Sequence, residues 1–522
     1  MKKASKTMSS VEYVMQAWKQ VQHKDCVDAE LDFRGYRSIS GEAMHALVDC
    51  LWQQQQRQQR NRSQVAHLHL EETILEESDM EDLMTLLEND ECIQSLWLDD
   101  TCASPLEAIE LASMLQFNQT LQRLSLNNNQ LGDEGAICLA QGLGSNDTLR
   151  ELEVAFNAIG DEGCKALAEA GTSLQSLVLE YNHVGVNGAE ALAVAIANAP
   201  WKRLSLACNQ LGDDGLGALA DGLAAPMTCL ERLDVSENGI FHRGVTSLVA
   251  ALEQNDTLEE LFLGNNMIGA EAIAGYLKSP RSSLRRLHMT NCRLDNEAIR
   301  SIAEALHQNK SLRFIDLGSN QIDEANDLAI MLQMNTTLTT LGMARNALPS
   351  EAIQVLAKQG LKKNSTLTEL DVSVNKFDDV GVEALAEVLS TPCCYDDADD
   401  SCCGLERINL EYNCAISERS IRVMAKAAQS NPRLQECRVW FRPSDHPDME
   451  SLRFHLYLNR TGFSKLLKDP NLDRMTPLLL SSPPPLSSPP TSMATNTNSN
   501  ENNNVDICYL LLRNQMQLFV QA

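Results

Sequence analysis

Three clusters in this 522-residue chain carry side chains able to do chemistry. His67, His69 and Glu71 alternate along one short segment, with Asp99 at the matching place 28 residues on. Two imidazoles and a carboxylate on one face of a strand form a donor set for zinc. The same residues also suit a solvated polar face, and no metal ligand is assigned to them. Cys393-Cys394 and Cys402-Cys403 bracket a run with four aspartates, which suggests metal or redox chemistry. Tetrahedral zinc sites usually separate paired cysteines by about two to four residues, so an exposed acidic loop is the expectation here. Asn118, Asn146, Asn255, Asn335 and Asn364 each begin an N-x-T triplet of the glycosylation type. All five hold one place, just before the first leucine of a repeated unit, and are expected to be turn residues.

The familiar catalytic spacings are missing from the sequence. It has no GxxxxGK[ST], HExxH or GxSxG motif and no CxxC pair. No catalytic residue and no cofactor is therefore assigned, and the expectation is a non-enzyme. The net charge of −28 argues against a nucleic-acid partner held through phosphates. No run of 18 apolar residues occurs, so no membrane span or membrane partner is expected. The N-terminal stretch MKKASKTMSSVEYVMQAWKQ has no continuous apolar core or cleavage site. That points to a cytoplasmic protein, with nuclear entry left open, and to sixteen cysteines kept as free thiols.

The elements that position these residues repeat. An apolar residue, Leu, a second apolar residue and Asn recur as Leu121-x-x-Leu124-x-Leu126-x-x-Asn129. The first position falls at Val65, Ile93, Leu121, Leu149, Leu174, Trp201, Leu230, Leu258, Leu284, Leu312, Leu338, Leu367, Leu405 and Leu434. Most intervals are 25 to 29 residues; the one holding the cysteine insertion is 38. The x-L-x-L-x core has the period of a strand, leucines inward and neighbours outward. Asn129, Asn157, Asn182, Asn209, Asn238, Asn266, Asn320, Asn346, Asn375 and Asn413 form a column whose amides can bond backbone groups left by the turn. A helix then starts, as at Gly132-Asp133-Glu134-Gly135, with acids where the helix dipole favours them. Ala136, Leu139, Ala140 and Leu143 give it an apolar stripe. One unit cannot cover its own leucines, so the units must stack into a solenoid.

On these residues, and on Leu131-Gly-Asp-Glu-Gly-Ala-x-x-Leu-Ala140 in particular, the chain resembles leucine-rich repeat proteins of the ribonuclease-inhibitor-type subclass. The resemblance covers about residues 28 to 441. It implies an α/β horseshoe with parallel strands on the concave face and helices on the convex face. Proteins of this subclass inhibit ribonucleases, activate the GTPase Ran, or serve as the repeat regions of NOD-like receptors.

The expected organisation is a capping helix in 1–27 and a solenoid of about 14 to 15 units in 28–441. A C-terminal cap in 442–475, a disordered Ser/Pro/Asn-rich linker in 476–504 and an apolar terminal segment in 505–522 follow. A Gln-rich insertion from Trp52 to Gln64 interrupts the first units.

Since leucine, alanine and asparagine account for the scaffold, partner information must sit at the outward strand positions and the residue before the Asn. These hold fifteen carboxylates against seven arginines. Cross-strand ion ladders are expected for Arg123 with Glu151, for Arg232, Glu260 and Arg286, and for Glu369, Arg407 and Glu436. The candidate partner-binding residues are Trp97, Asp99, Arg123, Glu153, Phe156, Glu180, Tyr181, Arg203, Arg232, Asp234, Phe262, Arg286, Phe314, Asp316, Asp371, Arg407, Tyr412 and Trp440. The expected function is a scaffold that holds a protein partner, a basic one on charge grounds. The alternatives are a GTPase-activating protein for a small Ran-like GTPase, and a sensor subunit that docks through 505–522.

Overall fold

The computed structural model describes residues 9–22, 29–34, 39, 41–56, 64–390, 403–413, 415–440 and 446–461. The cysteine insertion up to Cys402, the Ser/Pro/Asn-rich linker and the apolar terminal segment lie outside them. Fifteen short strands form one parallel sheet in chain order. They are β1 (Ala29–Asp32), β2 (Val65–His69), β3 (Ser95–Trp97), β4 (Arg123–Ser125), β5 (Glu151–Glu153), β6 (Ser176–Val178), β7 (Arg203–Ser205) and β8 (Arg232–Asp234). There follow β9 (Glu260–Phe262), β10 (Arg286–His288), β11 (Phe314–Asp316), β12 (Thr340–Gly342), β13 (Glu369–Asp371), β14 (Arg407–Asn409) and β15 (Glu436–Arg438).

The middle residue of each three-residue strand points inward; Leu96, Leu124, Leu152, Leu177, Leu204, Leu233 and Leu261 are wholly buried. Helices return on the other side, beginning with α1 (Ser10–Gln22), α2 (Glu42–Gln56), α3 (Glu77–Leu87), α4 (Pro105–Phe117) and α5 (Gly132–Leu143). Next come α6 (Asp161–Ala170), α7 (Val186–Asn198) and α8 (Gly212–Leu223). Ala136, Leu139, Ala140 and Leu143 of α5 are buried as their spacing requires. Strands stack about 4.8 Å apart, whereas packed helices need about 8 to 10 Å, so the stack bends with its strand face concave.

All ten asparagines of the column are buried. Asn157 Nδ2 donates to the Leu126 and Ala155 carbonyls (2.8 and 2.9 Å), and its Oδ1 accepts from Leu131 N at 3.3 Å. Three units fill the place with another donor. Thr73 and Thr101 give their hydroxyls to the Leu70 and Leu98 carbonyls, and Cys292 Sγ lies 3.3 Å from the Leu263 carbonyl. The glycosylation-like Asn118, Asn146, Asn255, Asn335 and Asn364 form a second buried column at the helix-to-strand turn. Asn118, for example, donates to the Leu87 carbonyl at 2.6 Å and accepts from Thr120 N and Leu121 N.

One expectation is extended and one is corrected. The acids at the helix starts reach across to the next repeat rather than serving only their own helix dipole. Asp133 Oδ1 accepts from Gly160 N and Gly163 N at 2.7 and 2.9 Å, and Asp161 Oδ1 accepts from Gly185 N and Gly188 N at 2.6 and 3.0 Å. The Gln-rich stretch also does not begin as an insertion. Helix α2 runs through Gln56, and buried Gln54 bonds both N and O of Val65. Gln53 to Gln56 are helix formers that continue α2.

Candidate protein-binding face

Parallel register fixes which outward side chains meet, because each strand residue faces its counterpart one repeat on. In thirteen units the residue before the Asn column, among them Phe156, Tyr181, Arg345 and Tyr412, has φ between 53° and 61°. This left-handed turn costs a side-chain-bearing residue roughly 1 to 2 kcal/mol, and the Asn, Thr or Cys that follows bonds the turn in place. It presents each such side chain at one rim of the strand face. Phe156 and Tyr181 therefore do not tuck under the turn; both are about half exposed and stack on each other at 4.0 Å.

At the N-terminal end the His69 ring stacks on Trp97 at 3.9 Å. Its Nδ1 lies 2.9 Å from Glu71 Oε1 and its Nε2 lies 3.1 Å from Glu30 Oε1. Arg123 reaches to 5.8 Å from the Trp97 ring centre and pairs with Glu151 at 2.7 Å and Glu153 at 3.5 Å. Asp99 accepts from Ser125 Oγ and Asn127 N. Burial pushes its carboxyl above the ordinary value, and the Glu153 and Glu71 charges act in the same direction. With both His69 nitrogens facing carboxylates, the zinc donor set envisaged from the sequence is not assembled. Among the described residues no three His, Cys, Asp or Glu side chains are grouped to hold a metal ion.

The centre is built around Glu260 and His288. The His288 ring lies between Phe262 (3.9 Å) and Phe314 (4.6 Å), and the Arg286 guanidinium sits 4.2 Å from the Phe314 centre. Glu260 receives Arg286 at 2.6 Å, Arg232 at 3.1 Å and His288 Nε2 at 3.2 Å. The expected ladder is thus present and carries an unexpected fourth member. Asp234 is held by Ser236 N, and Asp316 accepts from Thr290 Oγ1 at 2.9 Å. Glu180 accepts from Ser205 Oγ at 2.6 Å, and exposed Arg203 makes no ion pair among the described residues.

Towards the C-terminus Arg407 pairs with Glu369 at 3.0 Å, and Asp371 accepts from Asn409 Nδ2 at 3.0 Å. Glu436 departs from the expected ladder, pairing instead with Arg438 of its own strand at 2.6 Å. Tyr412 and Trp440 stack at 5.7 Å, both about half exposed. Sequence reasoning passed over His288, although it stands one repeat from both Phe262 and Phe314. It also left out Arg285 and Arg313, which sit one residue ahead of their strands.

The centre carries a pH prediction. Burial lowers the affinity of His288 for a proton, only partly offset by the Glu260 and Asp316 carboxylates. Burial pushes the Glu260 carboxyl up, but bonds from Arg286 and His288 and the Arg232 charge outweigh it, and the net shift is downward. For both groups the unfolded chain binds the proton at higher pH than the folded one. Their contribution is whole above about pH 6.5 and is lost as pH falls, first through His288 and then, further down, through Glu260. Urea midpoints at about pH 7.5 and about pH 5.5 should fall further for wild type than for His288→Gln. An equal or steeper fall in the variant contradicts this.

A family model described as a leucine-rich repeat matches residues 117–140, 145–168, 172–193, 202–220 and 363–386. The pig (Sus scrofa) ribonuclease inhibitor is 30% identical over 235 residues, 44% of this chain and 51% of that protein. The mouse (Mus musculus) NACHT, LRR and PYD domains-containing protein 14 is 27% identical over 295 residues, covering 55% of this chain and 28% of the relative. Human NACHT, LRR and PYD domains-containing protein 12 is 32% identical over 238 residues, 44% and 22% of the two chains. The chain thus spans about half the length of the inhibitor and less of the others. A solved chain from the yeast Rad7 and Elc1 complex aligns over 71% of this chain and 87% of its own, at 18% identity and a TM-score of 0.45.

Proposed function

We propose that this chain, built of leucine-rich repeats of the ribonuclease-inhibitor type, is a non-enzymatic scaffold that binds a protein partner on its strand face. The observation that carries the reading is the series of stacked rings along that face, exposed where Phe156 meets Tyr181 and Tyr412 meets Trp440, and half-buried with an arginine alongside at Trp97 and Phe314. Rigid aromatics next to guanidinium groups are what interface hot spots use, and pre-stacking lowers the entropy lost on binding. Carboxylates outnumber arginines on the face, so a partner with basic contacts suits it. The name ribonuclease inhibitor indicates that this relative acts on another protein, and that supports a protein rather than a small-molecule ligand. The solenoid we take as 28–441, with 1–27 and 442–475 as its caps.

Affinity capture with wild type and with a variant changed to Ala at Trp97, Phe262, Phe314 and Tyr412 tests the reading. Partners retained by wild type should drop about tenfold or more with the variant while its melting temperature stays close to wild type. Identical capture by both baits would assign the function to another surface. A small GTPase among the lost partners would favour the GTPase-activating alternative.

A further inference from the structure

A cleft of about 290 Å³ opens where strands β8 to β12 begin, lined by four arginines (Arg232, Arg285, Arg286, Arg313) against Glu231, Glu259 and Glu260, with Phe314 and Thr340. Its charge is opposite to that of the chain. Along this rim from β7 to β12, Lys202 and Arg203 join the four arginines, six cations against Glu231, Glu259 and Glu260. In a protein of net charge −28 such an island is a local departure.

The ion pairs fix the cleft without consuming it. Arg285 is tied to Glu259 at 3.2 Å and Arg232 to Glu260 at 3.1 Å. Arg286 spends its Nε on Glu260 and lays its guanidinium over Phe314, which leaves its two terminal nitrogens free of hydrogen bonds among the described residues. Arg313 is exposed and makes no ion pair among them. The result is one guanidinium held by a carboxylate and a ring, with unpaired Arg313 and the hydroxyl-bearing Thr340 lining the same cleft. Fixed guanidinium forks with a hydroxyl are the donor set for an oxyanion, since both oxygens of a carboxylate or phosphate can be bonded at once.

We propose that this cleft takes an oxyanion carried on a peptide segment of the protein partner, either a phosphorylated side chain or a run of carboxylates. The inference rests on reading the strand face as the binding surface. It adds that the partner is not uniformly basic: its anionic segment seats at β10 and β11, with its basic contacts on the acidic ends. Opposite local charges on one face fix the register in which the partner docks.

The test uses the full chain and three labelled peptides of one length: a phosphoserine peptide, a glutamate-rich peptide and a lysine-rich peptide. Fluorescence anisotropy should show binding of one or both anionic peptides and none of the lysine peptide at this cleft. Arg313→Glu should weaken the anionic peptides about tenfold or more, and Lys165→Glu on the helix side should leave them within about twofold. Which anionic peptide binds more tightly decides between phosphate and carboxylate. Absence of anionic binding, or equal loss in both variants, overturns the proposal. If partner capture still depends on the four aromatics while Arg313→Glu has no effect on the peptides, the scaffold reading stands and the oxyanion cleft falls.

Discussion

Replacing Asn157 with Ala should cost about 2 kcal/mol, a large part of the stability of the repeats it joins. The side chain is wholly buried between the units of β4 and β5. Its amide donates to the Leu126 and Ala155 carbonyls, and its oxygen accepts from Leu131 N. Alanine leaves Leu131 N in the interior with no water to replace its bond, at roughly 1 to 3 kcal/mol, and takes one of two donors from each carbonyl. The carbonyls count for less because Leu126 O keeps Asn129 Nδ2 at 3.0 Å and Ala155 O keeps Asn128 N at 2.8 Å. The loss should be local, because a solenoid is held by nearest-neighbour contacts. Hydrogen exchange should accelerate around 124–157 well before the units near β13, and the urea transition should broaden or shift down. A loss below about 1 kcal/mol would mean that the column is decorative.

The strand leucines and the stripe of α5 were legible because burial there follows a period of two or of 3.6 within one unit. The ion ladders were legible because a repeat interval close to 28 residues aligns Arg123 with Glu151 and Arg232 with Glu260 and Arg286. Other contacts depend on distances that spacing does not encode. Asp133 caps α6 rather than only α5 because its side chain is long enough to reach the next turn. Glu436 pairs with Arg438 of its own strand although Arg407 is its register partner, a choice between two equal charges that spacing does not make. For Phe156 and Tyr181, the left-handed backbone before the Asn, which spacing does not encode, sets where the side chains leave the turn. His288 was overlooked because a lone histidine on a strand carries little signal, although its ring completes the centre of the face.

Gly142→Ala should destabilise the protein by about 2 kcal/mol, against the usual rule that alanine in a helix beats glycine by about 1 kcal/mol. Gly142 lies near the end of α5, where that helix meets α4. A Cβ built there stands 2.4 Å from the Ala112 carbonyl oxygen and 2.8 Å from its Cα, both backbone atoms that no rotamer change can move aside. The two helices would have to separate, and the interior around Leu111, Leu139 and Leu143 would lose contact with them. Gly217 in α8 supplies the contrast, since a Cβ there meets nothing nearer than Ser247 Oγ at 4.0 Å. Gly217→Ala should therefore stabilise by up to about 1 kcal/mol through helix propensity and a stiffer unfolded chain. The pair separates packing from propensity within one fold, and urea midpoints of the two variants read it out. If both shift the same way, close approach of the helix backbones is not what selects glycine at position 142.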